Sequence, residues 1–267
     1  MSLPAITEDP LASKGNEFVQ RRTNLKRRHR QSLEIADVVR FSSHGNADHT
    51  KIGNVERDLH LWLVRHRKSL MLKRVVDIVG ASLALLILAP LLSMVAVIVR
   101  LSTPGPVIFS QLRHGLHGRP FRVYKFRTLY ADRCDMSGVA QIMPDDSRVT
   151  PIGRLLRRTN IDELPQLWNV LKGDMSLVGP RPHVIGMRAG GMRYEHLVLA
   201  YPMRHLVKPG ITGLAQLRGF RGPTRNGTTA RMRILCDLQY IHRYSNLLDL
   251  KIMILTLWQE LRGGTGG

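Results

Sequence analysis

The longest apolar stretch of the chain runs from Val75 to Val99, and only Asp77, Ser82, Ser93 and small residues interrupt it. As an α-helix with a rise of about 1.5 Å per residue, it would extend roughly 37 Å. A bilayer core is about 30 Å thick, so the pattern predicts a helix long enough to cross a membrane. A buried helix of a soluble domain is the alternative, and the unbroken apolar run disfavours it.

Two features of this run argue against a simple crossing. Pro90 lies two-thirds of the way along it and removes a backbone hydrogen bond, so we expect a bend there. Basic residues flank both ends, with Lys73 and Arg74 before the run and Arg100 and Arg113 after it. Because basic flanks favour the cytoplasmic side, both ends are expected on that side, as in a re-entrant helix. The carbonyl groups freed at the bend would then need protein partners.

Mixed patterns lie on either side of the apolar run. From Leu59 to Arg74, Leu, Trp and Val alternate with Arg and Lys, which predicts a basic amphipathic helix in the headgroup region of a membrane. After Arg100, short strands are predicted at residues 107–109 and 121–124, joined by a turn. Further helices are predicted at Ile152–Arg158, Asp162–Lys172, Arg231–Arg243 and Leu247–Leu261.

The predicted fold class is therefore an α-rich α+β protein with a short β-hairpin. Three parts are expected along the chain. Residues 1–55 form a basic arm, residues 56–100 form membrane-associated helices, and residues 101–262 form a compact domain.

Charge narrows the class of partner. The 267 residues carry a formal net charge of +20, which implies nucleic acid, an anionic membrane surface or phosphorylated substrates. Few aromatic residues and no interleaved basic and aromatic motif weaken the RNA interpretation. The arm is interpreted as solvated, with contact to anionic lipid as the alternative. Cys134 and Cys236 form no C-x-x-C pattern, so neither a redox pair nor a zinc site is expected.

The segment 157–165 carries the strongest chemical signal. It places Asp162 and Glu163 in the first turn of a predicted helix, capped by Thr159 or Asn160 and near the positive end of the helix dipole. Acidic first turns are common and by themselves only complement that dipole. Here, however, several arginines lie within residues 154–158. One carboxylate could hold Mg²⁺ while the other attacks the phosphorus of a diphosphate substrate.

Other cations are candidates for binding the phosphates. Lys125 and Arg127 share one side of a predicted strand, where solvated charges are the alternative interpretation. Arg181 lies on the stiff loop 179–182, suited to a bidentate phosphate contact, although a plain turn would look the same. Lys208 precedes a glycine-bracketed turn whose spacing excludes an ordinary P-loop. The predicted substrate-binding cations are Lys125, Arg127, Arg154, Arg158, Arg181 and Lys208.

Together these segments resemble the bacterial sugar transferase family, the monotopic polyprenyl-phosphate phosphoglycosyl transferases. The similarity extends from about Lys73 to Trp258 in the family's order and spacing. Its most specific part, residues 162–182, reads DELPQLWNVLKGDMSLVGPRP. The other matching parts are the apolar run with Asp77 and Pro90, PGPV at 104–107, KFRT at 125–128 and DSRVTPIGR at 146–154.

The resemblance implies a ping-pong reaction. Asp162 would attack the sugar-bearing phosphate of a UDP-sugar, release UMP and carry the phosphosugar until polyprenyl (undecaprenyl) phosphate accepts it. Glu163 would ligate Mg²⁺, and Arg181 would bind the nucleotide or its phosphates. Similarity at residues 210–222, continued by Asp237 and Asp249, indicates glucose or galactose as the sugar.

The resemblance also implies a location. It indicates a re-entrant membrane helix in the bacterial cytoplasmic membrane, a catalytic domain on the cytoplasmic face, and a role in the first step of exopolysaccharide or related glycan assembly. Anionic membrane lipid is the expected further partner, and nucleic acid is not expected.

Two other classes stay open at the level of the residues. A membrane-tethered nucleic-acid-binding protein would explain the charge, but it gives no purpose to the Asp162–Glu163 pair or to Pro90. A membrane scaffold without catalysis would explain the apolar run and its basic flanks. Salt-dependent duplex binding would favour the first, and an Asp162→Asn variant that keeps full function would favour the second.

Overall fold

The computed structural model describes residues 49–135, 139–143, 145–224 and 226–262. The predicted basic arm lies outside the described residues up to residue 48, and its remainder from His49 is helical. The helices are α1 (His49–Arg65), α2 (Arg67–Ser102), α3 (Pro151–Arg158), α4 (Gln166–Lys172), α5 (Tyr194–Leu197), α6 (Leu214–Leu217), α7 (Gly227–His242) and α8 (Asn246–Leu261). The strands are β1 (Ile108–His114), β2 (Pro120–Phe126), β3 (Ser176–Val178), β4 (Arg188–Ala189), β5 (Met192–Arg193) and β6 (Gly210–Thr212). The α-rich α+β prediction is confirmed.

The predicted β-hairpin is also confirmed, with longer strands than the sequence indicated. β1 and β2 pair antiparallel from Ile108 opposite Phe126 to His114 opposite Pro120. A second pair, β3 and β6, is parallel and joins segments more than thirty residues apart along the chain. The two backbones are so close there that a Cβ atom on Gly210 would lie only 2.1 Å from the amide nitrogen of Gly179, so only glycine fits at position 210.

The first helix boundary differs from the prediction. One amphipathic helix was expected from Leu59 to Arg74, but the helix is interrupted at His66, which lies between α1 and α2. The backbone amide of His66 donates to the Trp62 carbonyl at 3.0 Å, and the His66 Nδ1 lies 2.8 Å from the same oxygen. The two rings also stack, with centroids 4.0 Å apart. These local contacts are found where the helix is interrupted, and the spacing of apolar residues along the sequence does not predict them.

α2 contains the whole apolar run and has 36 residues, roughly 54 Å at 1.5 Å per residue. Within the described part of the chain, it is the helix long and apolar enough to cross a membrane. Pro90 lies inside α2, which is helical on both sides of it.

One face of α2 packs against the compact domain on both sides of its proline. Ala81 belongs to a cluster with Val170 and Met175, and Val95 belongs to a cluster with Phe126. The α2 helix therefore contacts the domain along most of its length.

Polar contacts fix the first turns of α2. Arg74 donates to the carbonyl groups of Val170 at 2.6 Å and Leu171 at 2.9 Å, at the C-terminal end of α4. The Asp77 Oδ1 accepts from the backbone amide of Leu177 at 2.9 Å. The buried carboxylate within the apolar run is thus satisfied by the domain rather than by solvent.

The outward faces of α2 and α8 are apolar and exposed. On α8 the exposed apolar residues recur every three or four positions and form a single stripe, here called the α8 stripe. Its members are Leu247, Leu250, Ile254, Leu257 and Leu261. On α2 the exposed apolar residues include Leu72, Val76, Val79, Leu83, Leu86, Ile87, Met94, Val97 and Leu101.

Candidate active site

Asp162 and Glu163 lie in a single 3-10 turn, Ile161–Glu163, ahead of α4. The prediction that they open a helix reaching Lys172 is wrong, because α4 begins only at Gln166. Asn160 adopts the left-handed conformation with φ of 54°, and this residue type tolerates that region because its short amide bonds locally. The left-handed residue turns the chain sharply after α3.

The predicted helix caps are also wrong. The Thr159 Oγ1 donates to the Leu155 carbonyl at 2.9 Å, so this hydroxyl closes α3 instead of opening a new helix. The Asn160 side chain donates to Glu260 Oε2 at 2.9 Å, which joins the turn to α8.

Glu163 is held by two cations. Lys125 Nζ donates to its Oε1 at 2.6 Å, and Arg181 donates to Oε2 at 3.0 Å and also to Oε1. Burial by itself would raise the pKa of Glu163, but Arg181 and Lys125 together hold that pKa well below its ordinary value. Burial lowers the pKa of Lys125, which Glu163 opposes. Glu163 is therefore the ionised centre of a charged triad.

Asp162 has a different environment although it is the next residue. Its side chain is buried, and among the described residues no hydrogen bond or ion pair engages its carboxylate. Burial raises the pKa of Asp162 to about 6, with Lys125 opposing and Glu163 adding to the rise. A desolvated carboxylate without a partner is more basic and more nucleophilic than an exposed one. The two neighbours thus differ in their bonding, and their pKa values are shifted in opposite directions.

The pair lies in a cleft of about 550 Å³. Lys125 and Arg181, two of the predicted substrate-binding cations, line it. Arg113 also lines it, although the sequence presented this residue only as a basic flank of the membrane run. Arg113 donates to the Gln111 side chain at 2.6 Å, and burial with Arg181 nearby lowers the pKa of Arg113 to about 10.

α3 presents a different arginine from the two that were predicted. Arg157 lines the cleft and lowers the pKa of Asp162, whereas Arg154 and Arg158 are exposed outside the lining. Residue 157 is offset from residue 158 by about 100° around the helix, and it lies about one turn closer than residue 154 to the turn that carries Asp162. Helical phase relative to the cleft therefore selects Arg157.

Two further predicted cations do not present a free charge to the cleft. Arg127 reaches the cleft lining, but its guanidinium donates to the carbonyl groups of Val99 at 3.2 Å, Thr103 at 2.7 Å and Pro104. Its contacts hold the end of α2 against the hairpin. Lys208 is outside the lining, and burial together with the nearby Arg74 lowers its pKa.

The donor set at the pair fits Mg²⁺ only as a site shared with substrate. No group of three or more His, Cys, Asp or Glu side chains able to hold a metal occurs among the described residues. Mg²⁺ commonly uses one or two carboxylates and completes its shell with water and substrate phosphates. Glu163 was predicted to hold the metal, and both of its carboxylate oxygens accept hydrogen bonds from Lys125 or Arg181.

Comparison with known proteins identifies the family. The family model described as bacterial sugar transferase matches residues 68–263. The exopolysaccharide production protein PSS of Rhizobium leguminosarum bv. phaseoli is 54% identical over 74% of this chain and 98% of its own length.

Longer relatives match over a similar share of this chain. The undecaprenyl-phosphate glucose phosphotransferase of Komagataeibacter xylinus is 48% identical over 71% of this chain and 36% of its own length. The UDP-glucose:undecaprenyl-phosphate glucose-1-phosphate transferase of Escherichia coli (strain K12) is 48% identical over 71% of this chain and 40% of its own length. This chain thus spans less than half of these two proteins. The match of the family model contains the hairpin, the Asp162–Glu163 turn and the Arg181 loop, and the chain belongs to the bacterial sugar transferase family.

Proposed function

We propose that the protein transfers a hexose-1-phosphate from a UDP-sugar to a polyprenyl phosphate, as the first step of exopolysaccharide or related glycan assembly. The names of two relatives support the substrates, since they describe glucose phosphate transfer to undecaprenyl phosphate. One observation carries the proposal. A buried carboxylate without a partner, Asp162, lies beside a carboxylate that Lys125 and Arg181 neutralise.

Asp162 is the nucleophile in this proposal. Its carboxylate oxygen attacks the phosphorus that bears the sugar, and the bond from that phosphorus to the bridging oxygen breaks. UMP leaves with the bonding electron pair, and an aspartyl phosphosugar remains. A phosphate oxygen of the polyprenyl phosphate then attacks the same phosphorus, so the acyl phosphate bond breaks and Asp162 is regenerated. The products are UMP and a lipid diphosphate sugar, glucose or galactose being the expected sugar.

The surrounding cations counter the repulsion between attacking carboxylate and diphosphate. Arg113 and Arg157 line the cleft and supply positive charge for phosphate oxygens. Lys125 and Arg181 fix Glu163 beside the nucleophile. When bound, Mg²⁺ at Glu163 would neutralise diphosphate charge.

α2 is proposed to enter the cytoplasmic membrane and return to the same face. Its packing supports this, because segments before and after Pro90 contact the same domain, which a straight crossing would separate by a bilayer. The exposed apolar faces of α2 and α8 would lie in lipid, and basic side chains near them would meet anionic headgroups. Leu257 belongs both to the α8 stripe and to the cleft lining, so a lipid acceptor could reach Asp162 from the membrane.

Re-entry is tested by labelling both ends of α2. Lys68→Cys and Ser102→Cys, at exposed polar positions near the two ends of α2, are made in a Cys134→Ser background and treated with an impermeant maleimide. We expect both to react in inverted vesicles and neither in intact spheroplasts. Labelling of the two positions from opposite faces would rule out re-entry.

The covalent step is tested by measuring UMP without a lipid acceptor. Purified enzyme mixed with a UDP-sugar should release about one UMP per active site and then stop, and added polyprenyl phosphate should restart release. UMP that appears only after the lipid is added would contradict the two-step reaction.

A further inference from the structure

The loop that carries Arg181 is held through its backbone. The carbonyl oxygen of Pro180 accepts from the Gly210 amide at 3.0 Å, and that of Pro182 accepts from Arg113 at 3.0 Å. Between them, the Arg181 carbonyl accepts from Arg204 Nη2 at 2.6 Å. Three consecutive carbonyl groups therefore have donors from three different parts of the fold, which leaves this loop little freedom to move.

Arg204 is itself fixed by a buried carboxylate. Its Nε and Nη2 donate to Asp237 Oδ2 on α7 at 3.1 and 2.7 Å, and both side chains are almost fully buried. The guanidinium also lies over the Tyr201 ring, 5.3 Å from its centroid. Neither Arg204 nor Asp237 lines the cleft, so neither side chain is available to a substrate there.

A buried ion pair of this kind does not by itself make the folded state more stable than apolar residues at the same positions would. Removing two charges from water costs several kcal/mol, and well-packed apolar replacements are often neutral or stabilising. A positional function explains its presence better. Nη2 bonds the carboxylate and the Arg181 carbonyl at the same time, which transmits the position of α7 to the loop.

We propose that Arg204 and Asp237 are positioning residues, which set the Arg181 backbone so that its guanidinium meets Glu163 beside Asp162. This proposal rests on the proposed function, because its test measures the rate of the first half-reaction, the release of UMP. The connected path is Asp237 to Arg204, Arg204 to the Arg181 carbonyl, and the Arg181 guanidinium to Glu163. Substitutions along this path should therefore lower the catalytic rate even when they leave the melting temperature unchanged.

The test replaces the pair by apolar residues of similar size. In Arg204→Met/Asp237→Leu, the melting temperature should stay within a few degrees of the wild type or rise. The rate of the first half-reaction, measured as the UMP burst, should fall about tenfold or more, with a smaller change in KM for the UDP-sugar. In an Arg181→Lys background the same double substitution should cost little further activity, because its effect passes through Arg181.

Two comparisons keep the outcome interpretable. Arg204→Lys retains a charge for Asp237 but not the planar two-donor geometry, so it should also slow the burst while remaining folded. Asp174→Asn disrupts an ion pair with Lys172 that does not contact the Arg181 loop, and its small effect should add to that of Arg181→Lys.

Wild-type burst rates in Arg204→Met/Asp237→Leu, or a loss that adds in full to that of Arg181→Lys, would overturn the proposal. If the double substitution does not fold, the Arg204→Lys cycle decides by the same criterion. A wild-type enzyme that releases no UMP would instead refute the proposed function.

Discussion

The cleft buries charged side chains, whereas the outer faces of α2 and α8 expose apolar ones. In the cleft, Asp162, Glu163 and Lys125 are largely withdrawn from water, whereas α2 and α8 expose leucine, isoleucine and valine. A soluble enzyme would need only the first arrangement, and a membrane scaffold only the second. Burying a charge is costly, so a buried carboxylate without a partner is typical of a functional site, and a large exposed apolar surface is typical of contact with a membrane or another protein. Together they fit the proposed transfer of a sugar phosphate from a charged nucleotide sugar to a lipid.

The largest expected effect concerns the cleft. Asp162→Asn should lower transfer by at least about a thousandfold, because the amide removes the nucleophile. The measurement is formation of lipid-linked sugar from a labelled UDP-sugar in vesicles. Asp174→Asn, a carboxylate outside the cleft lining that pairs with Lys172, is the matched control and should keep near wild-type activity. Retained transfer in Asp162→Asn would favour a scaffold or a different nucleophile.

Glu163→Gln should have the next largest effect. The change leaves Lys125 and Arg181 without their carboxylate, and we expect a hundredfold or greater loss with a weaker dependence on Mg²⁺. A titration of activity against Mg²⁺ measures both quantities. An unchanged Mg²⁺ midpoint would argue against Glu163 as the metal ligand.

The apolar region is tested on the α8 stripe. Leu250→Gln/Ile254→Gln should weaken partitioning of the protein into vesicles tenfold or more. Each side chain is about half exposed in the protein, so its transfer to lipid contributes about half of the roughly 1.5–3 kcal/mol that full burial of a leucine or isoleucine contributes. Vesicle flotation measures it. Met192→Gln, an exposed apolar residue in β5, makes the same chemical change away from both helices and should leave partitioning unaltered. Equal effects at the two sites would mean that the α8 stripe is no membrane surface.

The smallest effect is on stability, and its size depends on pH. Because the folded-state pKa of Asp162 is raised to about 6, its ionisation destabilises the fold as pH rises from about 4 through 6. In EDTA, Asp162→Asn should therefore be about 1–3 kcal/mol more stable than wild type at pH 7.5, and the gap should close near pH 4. Denaturant melts at the two pH values measure it. A gap of the same size at both would contradict a raised pKa.

Local pattern and composition were sufficient for much of this molecule. The apolar run predicted α2, the hairpin followed from short apolar strands around glycines, and the ends of α8 were predicted to within one residue. The paired carboxylates at 162 and 163 also stood out, because so few acidic residues lie among so many basic ones.

Long-range contacts account for what the sequence did not predict. The parallel pairing of β3 with β6 fixes the Arg181 loop, and no periodicity encodes it. Arg113 was interpreted as a membrane flank because its position in the cleft depends on the hairpin packing beside that loop. Arg157 was passed over for its neighbours because helical phase relative to the cleft is a tertiary property. The left-handed Asn160 is likewise a conformation that sequence preference permits without requiring.

The most direct test of the central claim is to locate the phosphosugar on the protein. Enzyme incubated with a UDP-sugar and no lipid is quenched, digested and analysed by mass spectrometry, with Asp162→Asn as the control. The account predicts one hexose phosphate on Asp162, lost on addition of polyprenyl phosphate and absent from the variant. A modification on another residue, or turnover to lipid-linked sugar without any modified peptide, would contradict it.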